Sequence, residues 1–295
     1  MGFTGARSEP NISGPMSAPD DIAAWMATNT YKDKILPHVY RYHPRGDEHS
    51  VILCELVMRD LLESCATLRE HARRGEAAYG INVRHRWATT GKAKALDLAV
   101  GTPSEPALVV ESLGQIRKVQ NRKVQNRTKG KRGIVLEVQN ALARLLIACE
   151  AKAVMTEHKK SQPRVFDELS SSHEIVHQGD QETIAAGIVM VNIASSFVSP
   201  LRQRDAERLH VSAHKQPSVA ASMIQHLRGL RIREDVGQVG FDAFCTFVVD
   251  CDNQTGCTLF TDSPAPQRGD VDHYDTFIER ITRFYGERFG NLHQQ

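Results

Sequence analysis

Two acids and one amine carry the most specific chemical signal in this sequence. Residues 145–152 read Leu-Leu-Ile-Ala-Cys-Glu-Ala-Lys, an apolar strand that ends in Glu150 and Lys152. Burying a carboxylate or an ammonium in a sheet is costly unless the charges are paired or hold a metal, so this ending is an anomaly that reads either as a catalytic centre or as a structural ion pair. Side chains alternate along a strand, which sends Glu150 and Lys152 to one face, about 7 Å apart, and Ala151 to the other. Asp97, within Ala-Leu-Asp-Leu-Ala-Val over 95–100, is a second carboxylate among apolar neighbours. On adjoining strands, about 4.8 Å apart, Asp97 and Glu150 would share one hard divalent cation while Lys152 stands beside the water it binds. The chemistry expected of such a centre is phosphodiester hydrolysis. Magnesium would sit on Asp97, Glu150 and the carbonyl of Ala151, and Lys152 would orient or deprotonate the attacking water. Glu111, closing Leu-Val-Val-Glu over 108–111, is the alternative partner for Glu150 if the strands pair differently.

The elements that must position these groups are legible from periodicity. Apolar residues at three- and four-residue steps over 49–72 predict a helix, and short runs at 78–83, 94–100 and 107–111 predict a small antiparallel meander. The stretch 145–151, a helix over 163–176 and an apolar run at 184–193 give the middle of the chain a β-α-β character. A helix over 219–232 follows. Runs at 244–249 and 258–261 then flank Asp252-Asn253-Gln254-Thr255-Gly256, a hairpin signal, and a helix over 270–289 closes the chain with its aromatic face read as core packing. The expected fold is α/β, a mixed central sheet flanked by helices. Residues 1–20 lack periodicity and are expected to form a flexible tail, leaving 21–295 as one domain with a basic insertion at 114–133.

Composition narrows the partners. With 37 Lys and Arg against 35 Asp and Glu, the formal charge is only +2, so any case for a polyanion must be local. It is local at 117–132, where an exact direct repeat places Arg117, Lys118, Arg122 and Lys123 within a run of eight cations and no acid. That run reads either as a phosphate-tracking arm or as a solvated duplication. The six cysteines include no CxxC pair and are read as buried thiols in a reducing cytoplasm rather than a zinc site. No membrane partner is expected, because the longest apolar run, 184–194, is too short to span a bilayer. A homodimer is among the arrangements the sequence admits. The pairs His173 with His177 and His210 with His214 are spaced to share helix faces and are read as solvent-facing or capping.

Asp97 followed at a distance by Glu150-Ala151-Lys152 resembles the PD-(D/E)xK phosphodiesterase superfamily, the restriction-endonuclease-like nucleases, over residues 55–199. Leu96 stands where the family name has proline. The resemblance implies a restriction-endonuclease-like core, a magnesium-dependent DNA endonuclease of the type II restriction or related defence kind, and DNA as partner. It also implies a carboxylate from the preceding helix, the place of Glu55, and a phosphate contact from the following helix, the place of Arg164. Its rivals are a non-catalytic DNA-binding or assembly protein with the same fold, and a repair or RNA-directed nuclease with the same centre. A second Glu-x-Lys, at Glu157-His158-Lys159, lacks an apolar strand before it and is read as a solvated loop or helix entry.

Overall fold

A computed structural model of the chain describes residues 17–32, 36–104 and 142–292. Among the described residues ten strands and six α-helices follow in order: α1 (Ala18–Thr28), β1 (Tyr31–Lys32), β2 (Val39–Tyr40), α2 (Glu48–Ser64), α3 (Ala66–Arg73), β3 (Ala78–Arg86), β4 (Ala93–Pro103), β5 (Leu142–Val154), α4 (His158–Gly179), β6 (Ile184–Asn192), β7 (Ser196–Phe197), β8 (Ser212–Ala213), α5 (Ser218–Leu227), β9 (Ala243–Cys251), β10 (Cys257–Phe260) and α6 (Tyr274–Phe289). The fold is α/β, built on one mixed six-stranded sheet in the order β10-β9-β6-β5-β4-β3. The middle strands β5, β6 and β9 run parallel, and antiparallel partners complete both sides.

Burial explains this arrangement. All nine residues of β6 are buried, as expected for a parallel strand covered on both faces. On one face α4 and α5 place Val165, Leu169, Met223 and Leu227 over Ala148, Val154 and Val189. On the other, α1, α2 and α6 cover Leu98, Ile147, Cys149 and Ala151. The aromatic face of α6 is core, since Tyr274, Phe277, Phe284, Tyr285 and Phe289 are all buried there.

The expected elements are found with shifted ends, and four departures are informative. Helical structure begins at Ala18, earlier than the expected tail boundary, because the Ala18 N–H donates to the buried Asp60 carboxylate at 2.8 Å. The single helix expected over 49–72 is two, since Cys65 is extended and its Sγ accepts from the Leu68 N–H, starting α3 afresh. The helix expected over 219–232 ends at Leu227, and Ile232 bridges Phe241 instead. The third strand beside β4 is β5, while the run expected at 107–111, with Glu111, lies outside the described residues. So does the basic segment with Arg117, Lys118, Arg122 and Lys123. The hairpin is where the turn residues put it: the Asp252 carboxylate accepts from the N–H groups of Gln254 and Thr255, as a turn requires. All six cysteines are free and buried. Among the described residues no helix is long and apolar enough to cross a membrane.

One irregularity prepares the site. Leu96 packs in the core beneath α4, yet Leu98, two residues on, packs in the opposite core. Val83 and Ile81, their partners on β3, divide in the same way. Regular alternation would keep each pair on one face. The sheet therefore changes face at Asp97, beside Asn82, whose φ of 56° is a left-handed value that asparagine tolerates better than most residues.

Candidate active site

Antiparallel pairing of β4 with β5 runs through Val100↔Ile147, Ala99↔Ala148 and Leu98↔Cys149. The next residues along are Asp97 and Glu150, where β4 turns over. The Ala151 N–H, which regular pairing would have given to a β4 carbonyl, donates instead to Asp97 Oδ2 at 2.7 Å. In a strand the N–H and C=O of one residue project to the same side, so the Ala151 carbonyl faces the same gap as the Asp97 carboxylate.

Glu150 and Lys152 share the α4 face with Ala148 and Val154. The Glu150 side chain is only 8% exposed and is fully partnered: Lys152 Nζ lies 2.6 Å from Oε1, Lys94 Nζ 3.1 Å from Oε2, and Ser172 Oγ donates to Oε2 at 3.2 Å. Ser172 comes from α4, where Arg164, Glu168 and Ser172 recur at four-residue steps and form one stripe above the strand. Lys152 also meets Glu168 at 3.5 Å, and Glu168 meets Arg164 at 3.5 Å. A chain of alternating charge thus leads from the buried Glu150 to Arg164, whose side chain is 72% exposed.

Electrostatics separates the two acids and the amine. Burial pushes the Asp97 carboxyl above its usual range and the Glu150 charge pushes it further, while the Ala151 N–H, Lys152 and Lys94 pull the other way without prevailing. Lys152 is opposite in balance: burial would lower its pKa, but Glu150, Asp97 and Glu168 together hold it above the ordinary lysine value. It is an ammonium at neutral pH in the metal-free protein, which suits a fixed positive charge rather than a base.

Glu55 is half-buried on α2, across the sheet from α4. Its neighbour Cys54 has a thiol pushed well up by burial and by the charges of Cys149, Asp97, Glu55 and Glu150, so this part of α2 lies behind the gap at Asp97. The geometry therefore brings Asp97, Ala151, Glu150 and Lys152 together, puts Arg164 at the rim, and places Glu55 on the far side. Sequence reading missed Lys94 and Ser172. The spacing of Ser172 from Arg164 and Glu168 was a usable signal, whereas nothing in the order of residues shows that Lys94 turns toward β5.

The oxygen set fits magnesium in kind. Two carboxylates and a carbonyl are hard donors, and magnesium characteristically takes one or two carboxylates and completes its shell with water and substrate phosphate. The penalty on ionising Asp97 is the one a cation would relieve. Among the described residues no group of three or more His, Cys, Asp or Glu side chains is set to hold a metal.

Both histidine readings are corrected. His173 and His177 share α4 but are buried rather than solvent-facing, with His177 Nε2 3.3 Å from the Asp242 carboxylate. His173, lowered to about 4 by burial and then by His177, packs edge-on against Phe241. His210 and His214 are not helical, and His214 instead contacts Thr156 and the Ala194 carbonyl. Glu157 is a helix entry, left-handed at φ 54°, just before the buried His158.

Asp97→Asn is expected to stabilise the metal-free protein at neutral pH by about 0.5–2 kcal/mol, the range commonly regained when a site stops being held against its own preference. The sign follows from the raised pKa. Proton binding at Asp97 favours the folded state at low pH, and that contribution is lost as pH rises through the folded pKa. Asparagine keeps an acceptor for the Ala151 N–H and removes the charge. Melting in EDTA at pH 7.5 and at pH 4.5 checks it. The variant should melt higher, with the gap smaller at the lower pH; a lower melting temperature at pH 7.5 would contradict the electrostatic account.

No family model, no curated protein and no solved structure matches this chain.

Proposed function

We propose that this protein is a magnesium-dependent endonuclease that hydrolyses the phosphodiester bonds of DNA at the gap between β4 and β5. The observation that carries the reading is the Asp97 carboxylate accepting from the Ala151 N–H, between Glu150 and Lys152 in sequence, just past Leu98↔Cys149 where the β4–β5 pairing ends. PD-(D/E)xK-type nucleases are the family to which this reading belongs.

Asp97, Glu150 and the Ala151 carbonyl would hold the metal, and bound magnesium would supply acidified water and draw charge from a non-bridging phosphate oxygen. The remaining work falls to the chain itself. Lys152, fixed by Glu150 and Glu168, keeps a positive charge in place before charge builds on the phosphate, so little reorganisation is needed at the moment of reaction. Ser172 holds the Glu150 carboxylate in its rotamer. Arg164, exposed on α4, meets the backbone of the duplex and gives it register without reading sequence.

Incubating the protein with supercoiled and linear DNA, in magnesium or in EDTA, tests the reading. Nicking or cutting in magnesium alone is the expected result. DNA binding without cutting in magnesium and in manganese would instead make the protein an adhesive relative of the fold.

A further inference from the structure

Both Glu150 oxygens that would face a metal are already engaged by ammonium groups. They meet Lys152 at 2.6 Å and Lys94 at 3.1 Å, together with the Ser172 hydroxyl. A divalent cation arriving between Asp97 and Glu150 would meet both positive charges at close range, and like charges this near repel strongly in a partly dry site. One ammonium has to leave. Lys152 is the better anchored, since it sits on the same strand as Glu150 and is held by Glu168 as well. Lys94 comes from the start of β4, just beyond the exposed turn residues Thr89, Thr90 and Gly91, and the acid it pairs with is Glu150. The Lys94 stem is a flexible four-carbon chain, and its side chain, 16% exposed, is the more enclosed of the two lysines.

We propose that Lys94 is a built-in competitor of the metal: its ammonium occupies Glu150 Oε2 in the resting protein and transfers to a phosphate oxygen of the substrate when the metal enters. The exchange leaves every charge opposite a counter-charge. Glu150 trades an ammonium for the divalent ion, and the ammonium trades a carboxylate for a phosphodiester anion. Metal and substrate then bind with positive coupling, because either one removes the obstacle to the other. A metal-free or DNA-free protein keeps its centre shut, which guards against loading that leads to no productive complex. The inference rests on the metal-site reading above.

The test is titration of Mn2+ by calorimetry into DNA-free wild type, Lys94→Gln, Lys94→Arg and Glu150→Gln, with melting curves to establish that each is folded. Coupling between two bound groups is commonly about 5- to 150-fold, so Lys94→Gln should bind Mn2+ about tenfold more tightly than wild type. Lys94→Arg, which keeps the competing charge, should stay near wild type, and Glu150→Gln should not bind. Unchanged or weaker Mn2+ binding in folded Lys94→Gln, with wild type binding normally, overturns the competitor while leaving the metal site in place. Absence of Mn2+ binding in wild type and Lys94→Gln alike overturns the metal site itself and the competitor with it. The two failures are therefore distinct.

Discussion

Lys152→Ala is expected to lower magnesium-dependent DNA cleavage by about 10²- to 10³-fold, the scale seen when a preorganised donor is removed from a developing anion. The fold should survive, because Glu150 keeps Lys94 and Ser172 as partners after the truncation. A stability loss of about 1 kcal/mol, ordinary for a partly exposed residue, would separate the catalytic effect from misfolding. Glu150→Gln should abolish cleavage to the same degree but by a different route. It removes a metal ligand and also strips the counter-ion from two ammonium groups, so a larger fall in melting temperature accompanies it. Comparing the two variants by cleavage rate and by melting is informative for that reason. Retention of cleavage within about tenfold of wild type in folded Lys152→Ala would remove the amine from the mechanism.

The largest effect on stability should come from a site that has no part in the chemistry. Asp242→Ala is expected to cost about 3–5 kcal/mol, the range for breaking a buried ion pair from one side. Asp242 and Arg233 are both fully buried, and the carboxylate also meets Arg288 at 2.5 Å and His177 at 3.3 Å while accepting from the Ala185 N–H at 2.8 Å. Those contacts tie the start of β6 to the start of β9, to α6 and to the last turn of α4. Burial alone would raise the Asp242 pKa, but hydrogen bonds from His177, Arg233 and Arg288 outweigh it and hold the carboxyl at about 2. A depressed pKa contributes stability that is present above the unfolded value and lost as pH falls through the folded one. Wild type should therefore lose this contribution between about pH 4 and pH 2, and Asp242→Ala should not show that step. Urea unfolding across pH measures both. A cost below about 1 kcal/mol at pH 7 would mean that the arginines find solvent or other partners when the acid is gone.

Most elements around the site were readable from spacing, because burial on a strand or helix leaves a period in the sequence. The β-α-β unit from β5 through α4 to β6, the hairpin at Asp252 and the core face of α6 all follow from where apolar and turn residues fall. The break at Cys65 did not, since both halves of that helix keep the same apolar rhythm and only a local extended residue divides them. The buried pair Arg233 and Asp242 was equally silent, since Arg233 lies in polar sequence that reads as surface and nothing in the order of residues joins it to Asp242 at the head of an apolar run.

At the candidate site the division is sharper. The sequence by itself determined that β5 would carry an acid and an amine on one face near its end, that Asp97 would sit among apolar neighbours on another strand, and that α4 would carry Arg164 and Glu168 one turn apart. Which strand lies beside β5, the change of face at Asp97, the Asp97 contact with Ala151, and the approach of Lys94 to Glu150 were decided only in three dimensions. The physical reason is that alternation and helical period are properties of a few consecutive residues, whereas strand register and the place where pairing lapses depend on residues more than fifty positions apart.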